Sequence, residues 1–137
     1  TVTVTAAGLY ANANAGTGKT ATVTYTLANG TNGGLAANYS LAAGTGTGDI
    51  TGKVLTVTGA VVTTKTYDGN TTATITGAVL SGVLAGDALN VTLGNATTGT
   101  FNDANAGVGK AVTTAPMTIS GTASGNYTLT QPALTGT

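Results

Sequence analysis

Apolar and polar side chains alternate along much of this chain. Residues 22–27 read Thr-Val-Thr-Tyr-Thr-Leu, which sets Val23, Tyr25 and Leu27 on one face and three Thr on the other. The same period of two marks Val2 and Val4, Leu55 and Val57, Ala73 and Ile75, Val91 and Leu93, Met117 and Ile119, and Tyr127 and Leu129. Turn clusters such as Asn29-Gly30-Thr31-Asn32-Gly33-Gly34 and Asp68-Gly69-Asn70 separate these runs. No segment carries a sustained 3.6-residue stripe. The best helix candidate is 79–89, and Gly82 and Gly86 weaken it by about 1 kcal/mol each. The pattern predicts an all-β chain of tandem, Ig-like β-sandwich units. The alternative is a β-grasp-like unit with one short helix near 79–89.

The chain also repeats itself. Asn12-Ala13-Asn14-Ala15-Gly16-Thr17-Gly18-Lys19 returns as Asp103-Ala104-Asn105-Ala106-Gly107-Val108-Gly109-Lys110, 91 residues later. Asn38-Tyr39-Ser40-Leu41 returns as Asn126-Tyr127-Thr128-Leu129, 88 residues later, with Gly33 matching Gly121; Tyr10 falls on Phe101. A period near 90 is the size of a small domain and too long for a solenoid coil. Thr1 corresponds to Thr92. Residues 1–52 are therefore expected to form the later half of a first copy, and 53–137 a complete second copy. Strand-like sequence continues through 50–58 with no Pro/Ser-rich linker, so the copies are expected to abut.

Composition narrows the chemistry. His, Cys, Trp, Arg and Glu are absent, and the charges are four Lys and four Asp. The usual general base, thiol nucleophile, soft metal ligands and bidentate phosphate reader are missing. The expectation is a non-enzyme without a cofactor. Zero net charge offers no footprint for nucleic acid or anionic membrane. No apolar run approaches the ~18 residues of a membrane span, so no membrane insertion is expected. The 33 Thr and 22 Gly suit pleated surfaces and turns. Charged residues make up 6% of the chain against about a quarter in ordinary globular domains, so solubility rests on hydroxyls and amides. That balance, with no Cys, points to an extracellular or bacterial cell-surface protein. The start at Thr1, with no signal peptide, points to a processed chain or an excerpt.

The second copy is similar to a known family. Lys65-Thr66-Tyr67-Asp68-Gly69-Asn70-Thr71, then Leu80-Ser81-Gly82, Gly86-Asp87, Phe101, Asn105-Ala106-Gly107, Gly109-Lys110 and Gly125-Asn126-Tyr127-Thr128-Leu129 resemble the YDG-type repeat of large bacterial surface proteins of the filamentous-haemagglutinin and adhesin kind. The likeness spans most of 53–137, and its later half also covers about 10–52. It implies a secreted, β-rich, tandemly repeated stalk module with no catalytic or cofactor residues to carry over. Asn70 stands where the family's usual Tyr-Asp-Gly-Thr has Thr, and the first copy has no Tyr-Asp-Gly segment. Tyr67, Asp68, Gly69, Asn126 and Tyr127 read as structural: Asp68-Gly69 as the positive-φ, side-chain-bonded turn of a hairpin. Tyr127 reads as a core aromatic whose hydroxyl ties down a neighbouring loop.

Other motifs weigh less. Gly18-Lys19-Thr20 resembles the end of a phosphate-binding loop, but Ala13 stands where the motif needs Gly and no helix pattern follows. Asp103 and Asn105 are the closest to a Ca²⁺ ligand pair, and Asx turns explain both more simply. Asn29, Asn38, Asn70, Asn90, Asn95 and Asn126 lie in Asn-x-Ser/Thr sequons open to glycosylation. Lys beside Asn or Asp allows an isopeptide crosslink, against the default of a solvated Lys. Thr-x-Thr rows suit solvent faces of strands, with ice binding as the rival.

These readings converge on a non-enzymatic structural repeat module of a bacterial extracellular fibre or adhesin stalk. Its expected partners are copies of itself or neighbouring repeats. An incomplete first copy would leave Val23, Tyr25, Leu27, Tyr39 and Leu41 as an assembly face. Burying about three such side chains is worth on the order of 5–8 kcal/mol, enough to drive head-to-tail assembly by strand addition or docking. The bland alternative is an arbitrary window on a longer array. The rival class is a glycan- or ice-binding adhesin domain.

Overall fold

The computed structural model describes all of residues 1–137. The chain is all-β, in several small sheets, and divides into unit 1 (Thr1–Thr51) and unit 2 (Gly52–Thr137).

In unit 1 the alternating run at 22–27 lies within a long strand. β1 (Thr3–Tyr10), β2 (Gly16–Ala28) and β3 (Gly44–Ile50) form one antiparallel sheet in that order. Val4 faces Leu27, Ala6 faces Tyr25, Gly8 faces Val23 and Tyr10 faces Ala21, so these eight share one side. The other side is threonine-rich, with Thr5 opposite Thr26, Thr22 opposite Thr45 and Thr20 opposite Thr47. No residue of unit 1 is buried, because a single sheet of small side chains has no second layer to pack on.

Unit 2 contains ten strands: β4 (Lys53–Thr58), β5 (Val61–Val62), β6 (Thr72–Thr76), β7 (Val79–Ser81), β8 (Thr92–Gly94), β9 (Thr98–Phe101), β10 (Lys110–Thr113), β11 (Thr118–Ser120), β12 (Tyr127–Leu129) and β13 (Leu134–Gly136). Its first four strands are one kinked hairpin. Thr58 faces Val79 and, past the kink, Val61 faces Thr76 in the same register. At the kink Gly59 and Gly77 both take positive φ, 69° and 72°. A Cβ on Gly59 would lie 2.7 Å from the Gly77 carbonyl oxygen, so only glycine lets the backbones meet there. The kink passes the hairpin from one sheet to another.

Beyond it, β5 and β6 join the sheet β13-β10-β9-β6-β5. This sheet curls until its edges meet: the Lys65 N–H donates to the Thr137 carbonyl at 3.3 Å. The Thr64 and Thr137 hydroxyls lie 3.2 Å apart. Val62, Ala73, Ile75, Phe101 and Val112 fill its interior, with Ala60 and Leu134 against them. On the near side, β12-β4-β7 and the β8–β11 pair enclose a second core of Leu55, Val91 and Tyr127, lined by Leu80, Val83, Ile119, Ala123 and Leu129.

Two features differ from the sequence expectation. The helix candidate 79–89 is instead β7 followed by a single 3-10 turn at Ala85–Asp87. Gly82, at φ 100°, ends the strand side of that segment in a conformation no α-helix contains. Second, β12 runs parallel to β4, with Tyr127 beside Lys53 and Leu129 beside Leu55. Alternation assigns a residue to a face but says nothing of which strand lies alongside or in which direction.

Candidate functional site

Three loops share one device, a lysine ammonium latched onto an Asx turn. Between β5 and β6, the Asn70 N–H donates to Asp68 Oδ1 at 3.1 Å and the Asn70 amide to Asp68 Oδ2 at 2.7 Å. Gly69 supplies the positive φ, 77°, that closes this turn. Lys65 Nζ then binds Asp68 Oδ1 at 2.7 Å, Asn70 Oδ1 at 2.8 Å and the Asn70 carbonyl at 3.1 Å. Between β9 and β10, Lys110 pairs with Asp103 and donates to the Asn105 carbonyl at 2.8 Å, while the Asn105 N–H donates to Asp103 at 2.8 Å. Between β1 and β2, Lys19 bonds Asn12 Oδ1 and the Asn14 carbonyl, the latter at 2.6 Å, and the Asn14 N–H caps Asn12 at 3.1 Å. The twofold motif in the sequence is therefore a latched turn repeated in structure.

This assigns several candidates. Asp103 and Asn105 do come together, but the cation between them is the Lys110 ammonium, and Asn102 donates to the second carboxylate oxygen at 3.1 Å. Lys19 is tied down inside its own loop, and Gly18 N–H binds Asp49 at 2.8 Å. The default of solvated lysines is corrected for Lys19, Lys65 and Lys110. A Lys three to seven residues from the two Asx positions of an Asx-x-Asn was the signal available in the sequence. Hydrogen bonds from Lys65 and the Asn70 N–H hold the Asp68 carboxyl below its ordinary 3.8. Lys110 and the Asn105 N–H do the same for Asp103. Among the sequons, the side-chain amides of Asn70 and Asn95 already donate, to Asp68 and to the Pro116 carbonyl.

The two latched turns of unit 2 flank a cleft of about 270 Å³, lined by Tyr67, Asn70, Phe101, Asp103, Asn105 and Thr137 among others. Tyr67 is 66% exposed and stands at this cleft rather than in a core.

Tyr127 is the opposite case. It is buried on β12, its hydroxyl donates to Asp87 Oδ2 at 2.7 Å, and it accepts the Leu84 N–H at 3.2 Å. The acceptance by Asp87 and the burial push its pKa above 10.0. Asp87 belongs to the motif quoted for the family resemblance, but its pairing with Tyr127, 40 residues away, had no local signature in the sequence. Asn126 closes the 3-10 turn Ser124–Asn126, its N–H bonding the Ala123 carbonyl at 3.0 Å.

The model of the YDG domain matches residues 51–135. The chain belongs to the YDG domain family. No curated protein and no solved structure matches it.

The YDG domain's own ladder recurs in unit 1, strand for strand. In the domain, Phe101 faces Val112 and Thr100 faces Thr113; in unit 1, Tyr10 faces Ala21 and Leu9 faces Thr22. On the other side, Lys110, Ala111 and Val112 face Gly136, Thr135 and Leu134; Lys19, Thr20 and Ala21 face Gly48, Thr47 and Gly46. Each aromatic leans over the matching glycine, Phe101 over Gly136 and Tyr10 over Gly48. So β1-β2-β3 correspond to β9-β10-β13. They diverge where the YDG domain has Asn95, at φ 56°, and Pro116, which lacks an N–H, and its ladder breaks into β8–β11 and β9–β10. Unit 1 has Val4 and Tyr25 at those places, and its hairpin runs on unbroken.

The correspondence explains what happens to the expected assembly face. Val23, Tyr25 and Leu27 do share one side of β2. Tyr39 and Leu41 lie outside the strands, after the 3-10 turn Ala36–Asn38, and are exposed. Tyr39 is 62% exposed where its YDG-domain counterpart Tyr127 is 6%; Tyr10 is 38% exposed where Phe101 is 6%.

Proposed function

We propose that this chain is a non-enzymatic, load-bearing repeat module of a bacterial extracellular fibre or adhesin stalk, with neighbouring repeats of the same protein as its partners. The observation that supports it most is the parallel pairing of β4 with β12. β4 opens the YDG domain and β12 lies near its end, so tension along the chain pulls the two strands in opposite directions along their length. The backbone bonds between them, with the Thr130 N–H to the Leu55 carbonyl at 2.9 Å, are then strained together rather than one by one. Latched turns add local resistance to fraying. The repeated ladder in unit 1 supports tandem construction. Immunogold labelling of intact cells that produce the protein tests the location. Label on unbroken cells is the expected result; label that appears only after lysis contradicts it.

A second reading, ligand binding, has its own supporting features. The cleft at Tyr67 offers an exposed ring and amide groups of the kind that face sugars, and the threonine side of unit 1 offers regular hydroxyl rows. A glycan array with Tyr67→Ala as control and an ice-recrystallisation assay test these.

A further inference from the structure

In unit 2 the ladder β13-β10-β9 does not stand alone. The free edge of β9 is taken by β6, where Thr72, Ala73 and Thr74 face Thr100, Gly99 and Thr98. The Ile75 N–H donates to the Thr97 carbonyl at 2.9 Å, and the Phe101 N–H to the Thr71 carbonyl at 2.8 Å. β5 then closes on β13, and Val62, Ala73 and Ile75 from this strand pair cover Phe101, Val112 and Leu134. In unit 1 the matching ladder ends at β1 and β3, with no strand beside either. Ala11 N–H donates inward to the Thr20 carbonyl at 3.1 Å, as Asn102 does to Ala111, so the Tyr10 N–H points to the open edge as the Phe101 N–H points to β6.

We propose that unit 1 is an acceptor for a β5–β6-type strand pair donated by another YDG-type repeat. The donor strand lies along β1, pairs its backbone with Tyr10 N–H and the Ala6 carbonyl, and turns alternate apolar residues onto Tyr10, Gly8 and Val23. This rests on the repeat reading above and names its contact.

Residues 1–137 hold two such ladders, β1-β2-β3 and β9-β10-β13, and one β5–β6 pair, which is built into the core of unit 2. The strand pair that unit 1 accepts is therefore a different one. Ala21 replaces Val112 and Gly46 replaces Leu134, so the acceptor face is shallower than that of unit 2. The donor's inward side chains are at least as large as Val62, Ala73 and Ile75.

Amide hydrogen exchange on the isotope-labelled 137-residue chain tests this, with an unlabelled synthetic peptide of residues 59–77 as the probe. The expected result is that Tyr10 N–H exchanges fast alone and slows about ten-fold or more with peptide, while Phe101 N–H is protected throughout. The same peptide with Ala73→Asp and Ile75→Asp leaves Tyr10 unprotected. As a second arm, residues 53–91 are fused ahead of Thr1, which raises the effective concentration of the donor to the millimolar range. Tyr10 unprotected in the fusion, or already protected in the chain alone, overturns the proposal. Either failure leaves the parallel β4–β12 pair, and the load-bearing reading, to be judged separately.

Discussion

The hydroxyl of Tyr127 donates to Asp87 Oδ2 at 2.7 Å while accepting the Leu84 N–H at 3.2 Å. Through this one oxygen β12 holds the 3-10 turn that follows β7. Tyr127 is thereby both a core side chain and the anchor of a loop.

Because its pKa is raised in the folded state, the Tyr127 contribution is fully present below the ordinary tyrosine value of 10.0 and is lost as pH rises through the higher folded value. Thermal melts from pH 8 to 12 should show unit 2 losing stability above pH 10. Tyr127→Phe should lower the melting temperature at neutral pH by several degrees and flatten the alkaline fall.

At the acid end the sign reverses. Asp68 and Asp103 have folded pKa values below 3.8, so their latches contribute fully above that value and are lost as pH falls through the depressed ones. Melts between pH 5 and 2 should show a drop that begins below 3.8, and the double variant Asp68→Asn/Asp103→Asn should show a smaller one.

Equivalent glycines should respond differently. A Cβ on Gly99 would lie 2.6 Å from Val112 Cγ1 and 3.1 Å from the Thr113 carbonyl oxygen, whereas one on Gly8 meets nothing within 4 Å. Gly99→Ala should cost about 1–3 kcal/mol by overpacking, and Gly8→Ala should leave denaturant midpoints unchanged. Ile75→Ala, in the same core as Gly99, should cost about 2–5 kcal/mol.

What the sequence conveyed follows from what alternation encodes. Ala73 and Ile75 read as inward and are buried; Val23, Tyr25 and Leu27 read as one face and share one. The motif pair at 12–19 and 103–110 marked a repeat whose strand registers coincide. Partner choice was hidden, because the β4–β12 pairing joins residues 74 apart with no local signature. The lysine latches left only a spacing signal, because their acceptors are mostly backbone carbonyls and Asx side chains, whose direction depends on the turn. The helix candidate at 79–89 failed on Gly82, where φ of 100° turns the chain out of a helical path.

The most direct test of the load-bearing claim is single-molecule pulling on Gly52–Thr137 from its two ends within the intact chain. A resolved force peak followed by extension of roughly 28–31 nm, at about 3.3–3.6 Å per residue, is expected. Thr130→Pro, which removes the 2.9 Å bond to the Leu55 carbonyl, should lower that peak. Extension without a resolved peak, or a peak that Thr130→Pro leaves unchanged, would contradict a β4–β12 clamp and with it the stalk function.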